Sequence, residues 1–308
     1  MRILLFGCDG QVGWELQRAL APLGEVLAIG RAGRNGLVGD LADGEGIART
    51  VRTVSPEVIV NAAAYTAVDR AESEPELAHA INGRAPGILA REAKATGAWL
   101  VHYSTDYVFD GSGEKPWVEN DPTSPLNVYG ASKLEGEAAI RESGCRHLIF
   151  RTSWVYARRG RNFIHTMLRL AQERETLKVV NDQIGAPTGA DLIADVTAHA
   201  VRAVGSSTEA LAGTYHLAAR GETSWWAYAR LVIDAARSLG APLQASPETV
   251  LAVPSEEFPT SAARPRNSRL ATAKLERTFG LALPLWESGV VRTVTEIVQC
   301  QANGIHQP

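Results

Sequence analysis

A doubly wound α/β sheet of mostly parallel strands is the fold this chain predicts, on three observations. Short, nearly continuous apolar runs alternate with amphipathic helical stretches through the first half of the 308 residues. Strands of that kind are covered on both faces, and the alternation is that of a parallel sheet. The first run leads directly into Gly7-Cys8-Asp9-Gly10-Gln11-Val12-Gly13, where a helical pattern opens. A later run ends in Ser104-Thr105-Asp106, at the carboxyl edge where such sheets hold their ligands.

Taken in order, residues 2–6 form a buried strand that Gly7 stops. Val12, Leu16, Ala19, Leu20 and Leu23 recur at helical spacing, which predicts a helix over residues 11–23. Strands follow at 26–29 and 57–61, then a long helix rich in Ala, Leu and Glu at 76–95. Residues 99–103 are a further strand, 126–142 a helix and 147–151 a strand. Past Arg151 the rhythm loosens. Helices are expected at 162–172, 191–204, 224–238 and 286–300, and strands at 178–180 and 214–217. Residues 205–208 read as an exposed connection. Pro242, Pro247, Pro254, Pro259 and Pro265 make 240–268 loop-dominated. This organisation predicts a dinucleotide-binding domain over residues 1–153 and a smaller, mainly substrate-binding α/β region over 154–308. Residues at about 187–218 are expected to return to the first sheet.

Hydrophobic content of 45% with 21% charged residues is that of a globular protein. A net charge of −3 and a pI near 6.2 give no electrostatic reason to expect nucleic acid or an anionic membrane as partner. Arg158, Arg159 and Arg161 make a patch rather than a binding stripe. No apolar run approaches the ~20 residues of a membrane span. Gly7 to Gly10 interrupt the N-terminal run before a signal peptide's apolar centre could form. Cys8, Cys145 and Cys300 are odd in number and far apart, so no disulfide framework is expected and cytoplasm is the expected compartment.

Gly7, Gly10 and Gly13 have the spacing Gly-x-x-Gly-x-x-Gly between a strand and a helix. Glycine there permits a tight turn, close approach to a pyrophosphate and helix–strand packing, and the helix start at Gln11 and Val12 offers free N–H groups. The triplet alone is a weak signal; in this context dinucleotide binding outweighs a structural turn. Where the second strand ends, an acid would suit the ribose 2′-hydroxyl and an arginine a 2′-phosphate. Arg31 and Arg34 stand there without an acid, which leans toward NADPH. Two solvated loop arginines are nearly as good a reading, and NADH stays open. Asp40 and Leu41 are candidate adenine contacts, and Ala63, Ala64 and Thr66 candidate pyrophosphate and ribose contacts.

Tyr129 and Lys133 stand four residues apart and so share one helix face. The lysine charge is expected to pull the phenol below its usual value of about 10, so that it can pass a proton to a carbonyl oxygen. Tyr-x-x-x-Lys by itself is more often an ordinary surface pair; the glycine turn and Thr105, whose hydroxyl can serve the substrate carbonyl or Tyr129, reverse that.

Together these residues resemble the extended short-chain dehydrogenase/reductase family of nucleotide-sugar enzymes, whose cofactor domain is a Rossmann fold. Longer strings resemble the dTDP-4-dehydrorhamnose reductases within it: residues 61–69 with Ala71-Glu72, then 104–111, 125–137, 151–156, 182–188 and 264–268. The resemblance covers nearly the whole chain. It implies reduction of the 4-keto group of dTDP-4-dehydro-L-rhamnose to dTDP-L-rhamnose, a surface polysaccharide precursor. In this reading Tyr129 is proton donor, Lys133 holds the cofactor ribose, and Thr105 tunes the phenol. Asp106 and Trp154 contact the sugar, while residues 181–188 and Arg264 to Ser268 clasp the dTDP part. Tyr107 stands where related 4,6-dehydratases carry a Glu, which argues against elimination. Some members bind Mg²⁺ at a dimer contact; Glu15 matches one ligand, so a metal and a homodimer are open alternatives. His199 and His216 read as core or surface residues, not metal ligands. Two other functions stay open: a non-catalytic cofactor-binding subunit, as the methionine adenosyltransferase beta subunit resembles this family, and an epimerase or reductase on another nucleotide sugar.

Overall fold

The computed structural model describes residues 1–205 and 211–302. β1 (Arg2–Phe6) leads into α1 (Gln11–Leu20), which tightens into a 3₁₀ turn at Ala21–Leu23 before β2 (Glu25–Ile29). α2 (Gly44–Val54) follows, and the Asp43 carboxylate accepts the Gly46 N–H to cap it. No helix is predicted there from the sequence, because Gly44 and Gly46 in its first turn disguise the apolar stripe of Ile47, Val51 and Val54.

After β3 (Val58–Asn61) come α3 (Val68–Ala71), α4 (Pro75–His79) and α5 (Ala85–Thr96). The helix expected over 76–95 is present, with a π turn between α4 and α5. Ala80–Arg84 is a π turn, and Pro86 in the first turn of α5 has no N–H to continue the ladder. Buried Asn82 sits in that turn. Its Oδ1 accepts the Tyr65 N–H at 2.9 Å, and its Nδ2 donates to Tyr65 O at 3.0 Å and Ser132 Oγ at 3.1 Å.

β4 (Trp99–Thr105), α6 (Val128–Ser143) and β5 (His147–Thr152) complete the first half, each within two residues of expectation. The second half begins with β6 (Val155–Tyr156), α7 (Phe163–Glu173), β7 (Leu177–Val180), β8 (Ile184–Gly185) and β9 (Thr188–Gly189). It continues through α8 (Ala190–Gly205), β10 (Gly213–His216), β11 (Thr223–Ser224) and α9 (Trp225–Ser238). β12 (Val250–Val253), α10 (Ala273–Phe279) and α11 (Trp286–Ala302) close the described chain. Of the connection expected at 205–208, Gly205 ends α8 and the remainder lies outside the described residues. β12 runs parallel to β7 inside the expected loop of 240–268; the surrounding prolines hid it. α10 and the two-residue strands were likewise too short to carry a period.

Six parallel strands form the main sheet in the order β10-β5-β4-β3-β1-β2. The chain steps from β1 outward to β2 and then back past β1 to β3, so the strand order reverses between β1 and β3, where Phe6 pairs with Asn61. Ligand crevices in such sheets open at that reversal. Alternation along each strand sorts the core. Ile3, Leu5, Val60, Val101 and Phe150 pack against Leu16 and Leu20 of α1 and Ile193 and Val201 of α8. Leu4, Phe6, Ile59, Leu100 and Ile149 pack against α2 and α5. A third core joins α7, α9, α11, β7 and β12, with Tyr228, Val232 and Val290 fully buried. Among the described residues no helix is long and apolar enough to cross a membrane.

Candidate active site

The glycine turn is built by close backbone approach. Gly7 has φ +81°, and a Cβ there would lie 2.6 Å from the Ala63 nitrogen. Gly13 has Gly7 O where its own Cβ would be. Gly10 begins α1 with no side-chain cap, so the helix's first N–H groups stay available. The ends of β1 and β3 thus meet as a cradle that side chains would fill, which fits a dinucleotide pyrophosphate. Gln11 Oε1 accepts from Asn162 Nδ2 at 2.9 Å, tying the cradle to the second half. Val12 packs on the core beneath. Ala63 and Ala64 are half-buried beside the turn and Thr66 is exposed. Exposed Arg31 donates from Nε to Asp40 Oδ2 at 3.3 Å, so the arginine and the acid form one unit on the rim. Leu41 is buried in the core under α2.

Thr105, Asp106, Tyr129 and Lys133 converge at the carboxyl end of β4 and the start of α6. Asn127 caps α6, its Oδ1 accepting the Gly130 N–H at 2.8 Å. Tyr129 is half-buried, and Tyr107 meets its ring edge-on with centroids 5.7 Å apart. Lys133, 2% exposed, donates from Nζ to Tyr103 O at 2.6 Å and lies 3.3 Å from His102 Nε2. Burial pushes this ammonium down to about 8, against the opposing pull of Glu137.

One expectation is corrected here. Tyr129 is not acidified: burial of its hydroxyl pushes the phenol up to about 12, opposed by the Thr105 hydroxyl and reinforced by Asp106. Desolvation of the phenolate outweighs the helix-face argument, because the Lys133 head group turns to the Tyr103 carbonyl. Asp106 behaves similarly. It is 2% exposed, Oδ1 accepts from Thr105 Oγ1 at 3.0 Å, and Oδ2 has no partner. Burial raises its carboxyl to about 7, with Ser268 and Thr105 pulling the other way.

The second half supplies the opposite wall. Trp154 adopts φ +49° and stacks on Trp225 at 3.7 Å between centroids, against Gly185. Residues 262–268 cross back onto the first half. Arg264 Nη2 donates to Asp69 Oδ2 at 2.6 Å, and Ala263 O accepts from Asn127 Nδ2 at 2.8 Å. Ser268 N donates to Ile184 O at 2.7 Å, joining this segment to the 181–188 loop. The structure therefore brings Thr105, Asp106, Tyr129 and Lys133 together and ties the Arg264 segment beside them.

Three features escaped the sequence reading. His102 contacts Lys133, Trp225 backs Trp154, and Tyr107 flanks Tyr129. A polar His within the otherwise apolar Trp99–Tyr103 run was the one visible signal. Glu15 pairs with Arg18 at 3.5 Å. Among the described residues no three His, Cys, Asp or Glu side chains gather to hold a metal. Within one chain the described residues do not fit a Mg²⁺ site.

A parallel sheet with a glycine cradle at its reversal, beside a Tyr–Lys helix, defines an NAD(P)-dependent oxidoreductase. The family model described as the RmlD substrate binding domain matches residues 1–299, and the chain belongs to that family. A dTDP-4-dehydrorhamnose reductase of Salmonella typhimurium is 57% identical over 297 residues, covering 96% of this chain and 98% of the relative. Its Escherichia coli K12 counterpart is 56% identical over the same span and shares. The solved dTDP-4-dehydrorhamnose reductase of Bacillus anthracis, in complex with NADP, superposes with TM-score 0.83 at 34% identity, covering 96% of this chain and 99% of that one. A Clostridium acetobutylicum structure of the same name gives 0.86 at 33% identity, with the same shares covered.

Proposed function

We propose that this enzyme reduces the 4-keto group of dTDP-4-dehydro-L-rhamnose to dTDP-L-rhamnose, with NADPH as reductant and Tyr129 as proton donor. The observation that carries the reading is the meeting of Tyr129 with Thr105 and Asp106 at the sheet edge, one helical turn from Lys133. The printed names of relatives at 57% and 56% identity support the substrate, and the NADP complex of the Bacillus anthracis relative supports the cofactor.

Bound NADPH supplies a hydride to the ketone carbon. Tyr129, with its phenol pushed up to about 12, holds its proton at neutral pH and so arrives as an acid. An alkoxide forming on the sugar is a stronger base than a phenolate, so transfer runs from Tyr129 to the sugar oxygen. The Thr105 hydroxyl, turning from Asp106 Oδ1, can then donate to the phenolate. Asp106, raised to about 7 by burial, is partly protonated at neutral pH and holds the Thr105 hydroxyl at Oδ1 beside Tyr129. Trp154 offers a flat apolar wall for the hexose ring. Arg264 and the 181–188 loop face the diphosphate and nucleoside, for which a guanidinium fork is well shaped.

The test is NADPH oxidation with purified dTDP-keto-sugar and analysis of the product. Tyr129→Phe should lower kcat by at least ~10²-fold while leaving NADPH affinity within about threefold. Wild-type turnover in that variant would remove the tyrosine from its role; no oxidation by the parent protein would leave only a cofactor-binding role.

A further inference from the structure

His102 lies in the middle of β4, 1% exposed, flanked by Trp99, Leu100, Val101 and Tyr103. A buried imidazole needs partners for both ring nitrogens. Nδ1 lies 3.1 Å from Asn61 Nδ2, and Nε2 lies 3.3 Å from Lys133 Nζ. Asn61 is fixed from its other side, because its Oδ1 accepts the Ala63 N–H at 3.2 Å.

Donor accounting constrains this chain of groups. An amide NH₂ can only donate, so in this arrangement Nδ1 accepts and the neutral ring carries its proton on Nε2. That N–H points at Lys133 Nζ, and only an uncharged amine has a lone pair to receive it. The amine keeps its own donation to Tyr103 O at 2.6 Å. When Lys133 takes a proton from solvent, the ammonium must donate to Nε2 instead. The ring proton then belongs on Nδ1 and requires an acceptor, which Asn61 provides only by turning its amide over and releasing the Ala63 N–H. The two states differ by one proton, held by Lys133.

We propose that His102 is a positioning residue for Lys133, its tautomer and the Asn61 amide switching together as the lysine gains or loses its proton. The relay runs from the catalytic helix through β4 to β3, and ends at the backbone that meets Gly7 in the cofactor cradle. Both alternatives are within reach at working pH. Burial brings Lys133 to about 8, and burial together with the Lys133 charge holds His102 well below the usual imidazole range, so the ring stays neutral. The other charged group acting on Lys133 is Glu137, one turn along α6. Glu137 is itself engaged by Arg151 of β5 at 2.7 Å and Arg141 at 3.0 Å. Tyr129 lies one turn back on the same helix.

The inference rests on Lys133 serving the reaction proposed above, but its first test needs no turnover. Full-length protein with ¹⁵N-labelled histidine, titrated between pH 6 and about 10, reports the tautomer of His102 from its ring nitrogen shifts; His102→Gln assigns the signals. The expected result is Nε2–H at the alkaline end and Nδ1–H at the acid end, changing with the midpoint of Lys133 read from its ¹³Cε shift. A single tautomer across the Lys133 titration, or a cationic ring, overturns the relay. A second test uses kcat against pH. His102→Leu removes the ammonium's acceptor, so the Lys133 limb should move down by at least about one pH unit. His102→Gln, with both a donor and an acceptor, should restore it to within about half a unit. If turnover is normal while the tautomer is fixed, the relay alone fails. If the protein never oxidises NADPH while the tautomer switches, the reaction assignment alone fails.

Discussion

The two walls of the crevice are built in different ways. On the cofactor side, regular elements place each group: Gly7 ends β1, Ala63 follows β3, Thr105 ends β4 and Tyr129 opens α6. On the opposite side, loops hold loops: Ser268 on Ile184, Ala263 on Asn127, Arg264 on Asp69. A wall made of strand ends is rigid because the sheet beneath it is fully buried. A wall made of crossing segments depends on a few polar ties, each worth only about 1 kcal/mol or somewhat more when charged. In the function proposed above, the first wall would seat the cofactor and the second the sugar nucleotide.

Four variants sharpen or break that contrast. Gly7→Ala strikes the rigid wall, where φ is +81° and the added carbon meets the Ala63 backbone. It should cost about 3 kcal/mol of stability and weaken NADPH binding at least ~10-fold by calorimetry. Parental affinity would mean that the turn is not the cofactor's seat. Asp106→Asn comes next. Its carboxyl is raised from 3.8 to about 7 in the folded protein, so the native state binds more protons than the unfolded one between those values. Stability from this group is therefore present at low pH and lost as pH rises through that window. The asparagine variant should gain about 4 kcal/mol over the parent at pH 8 and little at pH 4. Equal differences in denaturant melts at both pH values would contradict this.

Arg264→Ala loosens the second wall, where the guanidinium–Asp69 tie is lost. The sugar nucleotide's KM should rise about 10-fold with kcat within about threefold and NADPH binding unchanged. An equal fall in kcat at constant KM would instead tie the segment to the transition state. The smallest effect is expected at the rim. Replacing Arg31 and Arg34 together by Ala should cut the preference for NADPH over NADH by about three- to tenfold, and unchanged selectivity would make them plain loop charges.

The same contrast explains what could be read in advance. β1, β4, β5 and α6 are legible because a buried parallel strand is apolar throughout and a helix repeats every 3.6 residues. The Gly7–Gly13 turn and the Tyr129/Lys133 spacing belong to those elements and came with them. α2 was obscured by glycines, the π turn between α4 and α5 by an Ala- and Glu-rich stretch of even period, and β12 by its prolines. The loop ties among Asp69, Asn127 and residues 262–268 have no period, and partners nearly 200 residues apart leave no local trace. The phenol's proton affinity was misjudged for a related reason. Spacing puts Lys133 on the right face, but three-dimensional packing decides where the Nζ hydrogen bonds go and how much water the tyrosine loses.

β10 carries a consequence for how the molecule is made. This edge strand, residues 213–216, pairs with β5, while α8 lies against α1 near the opposite terminus. During vectorial synthesis a ribosome would expose β1 through β5 long before either element had left its exit tunnel. Until then one flank of the nascent sheet lacks its neighbour, and Ile3, Leu5, Val101 and Phe150 lack part of their cover. Translation speed through the middle of the message therefore sets how long that sticky intermediate persists, and with it the demand for chaperones.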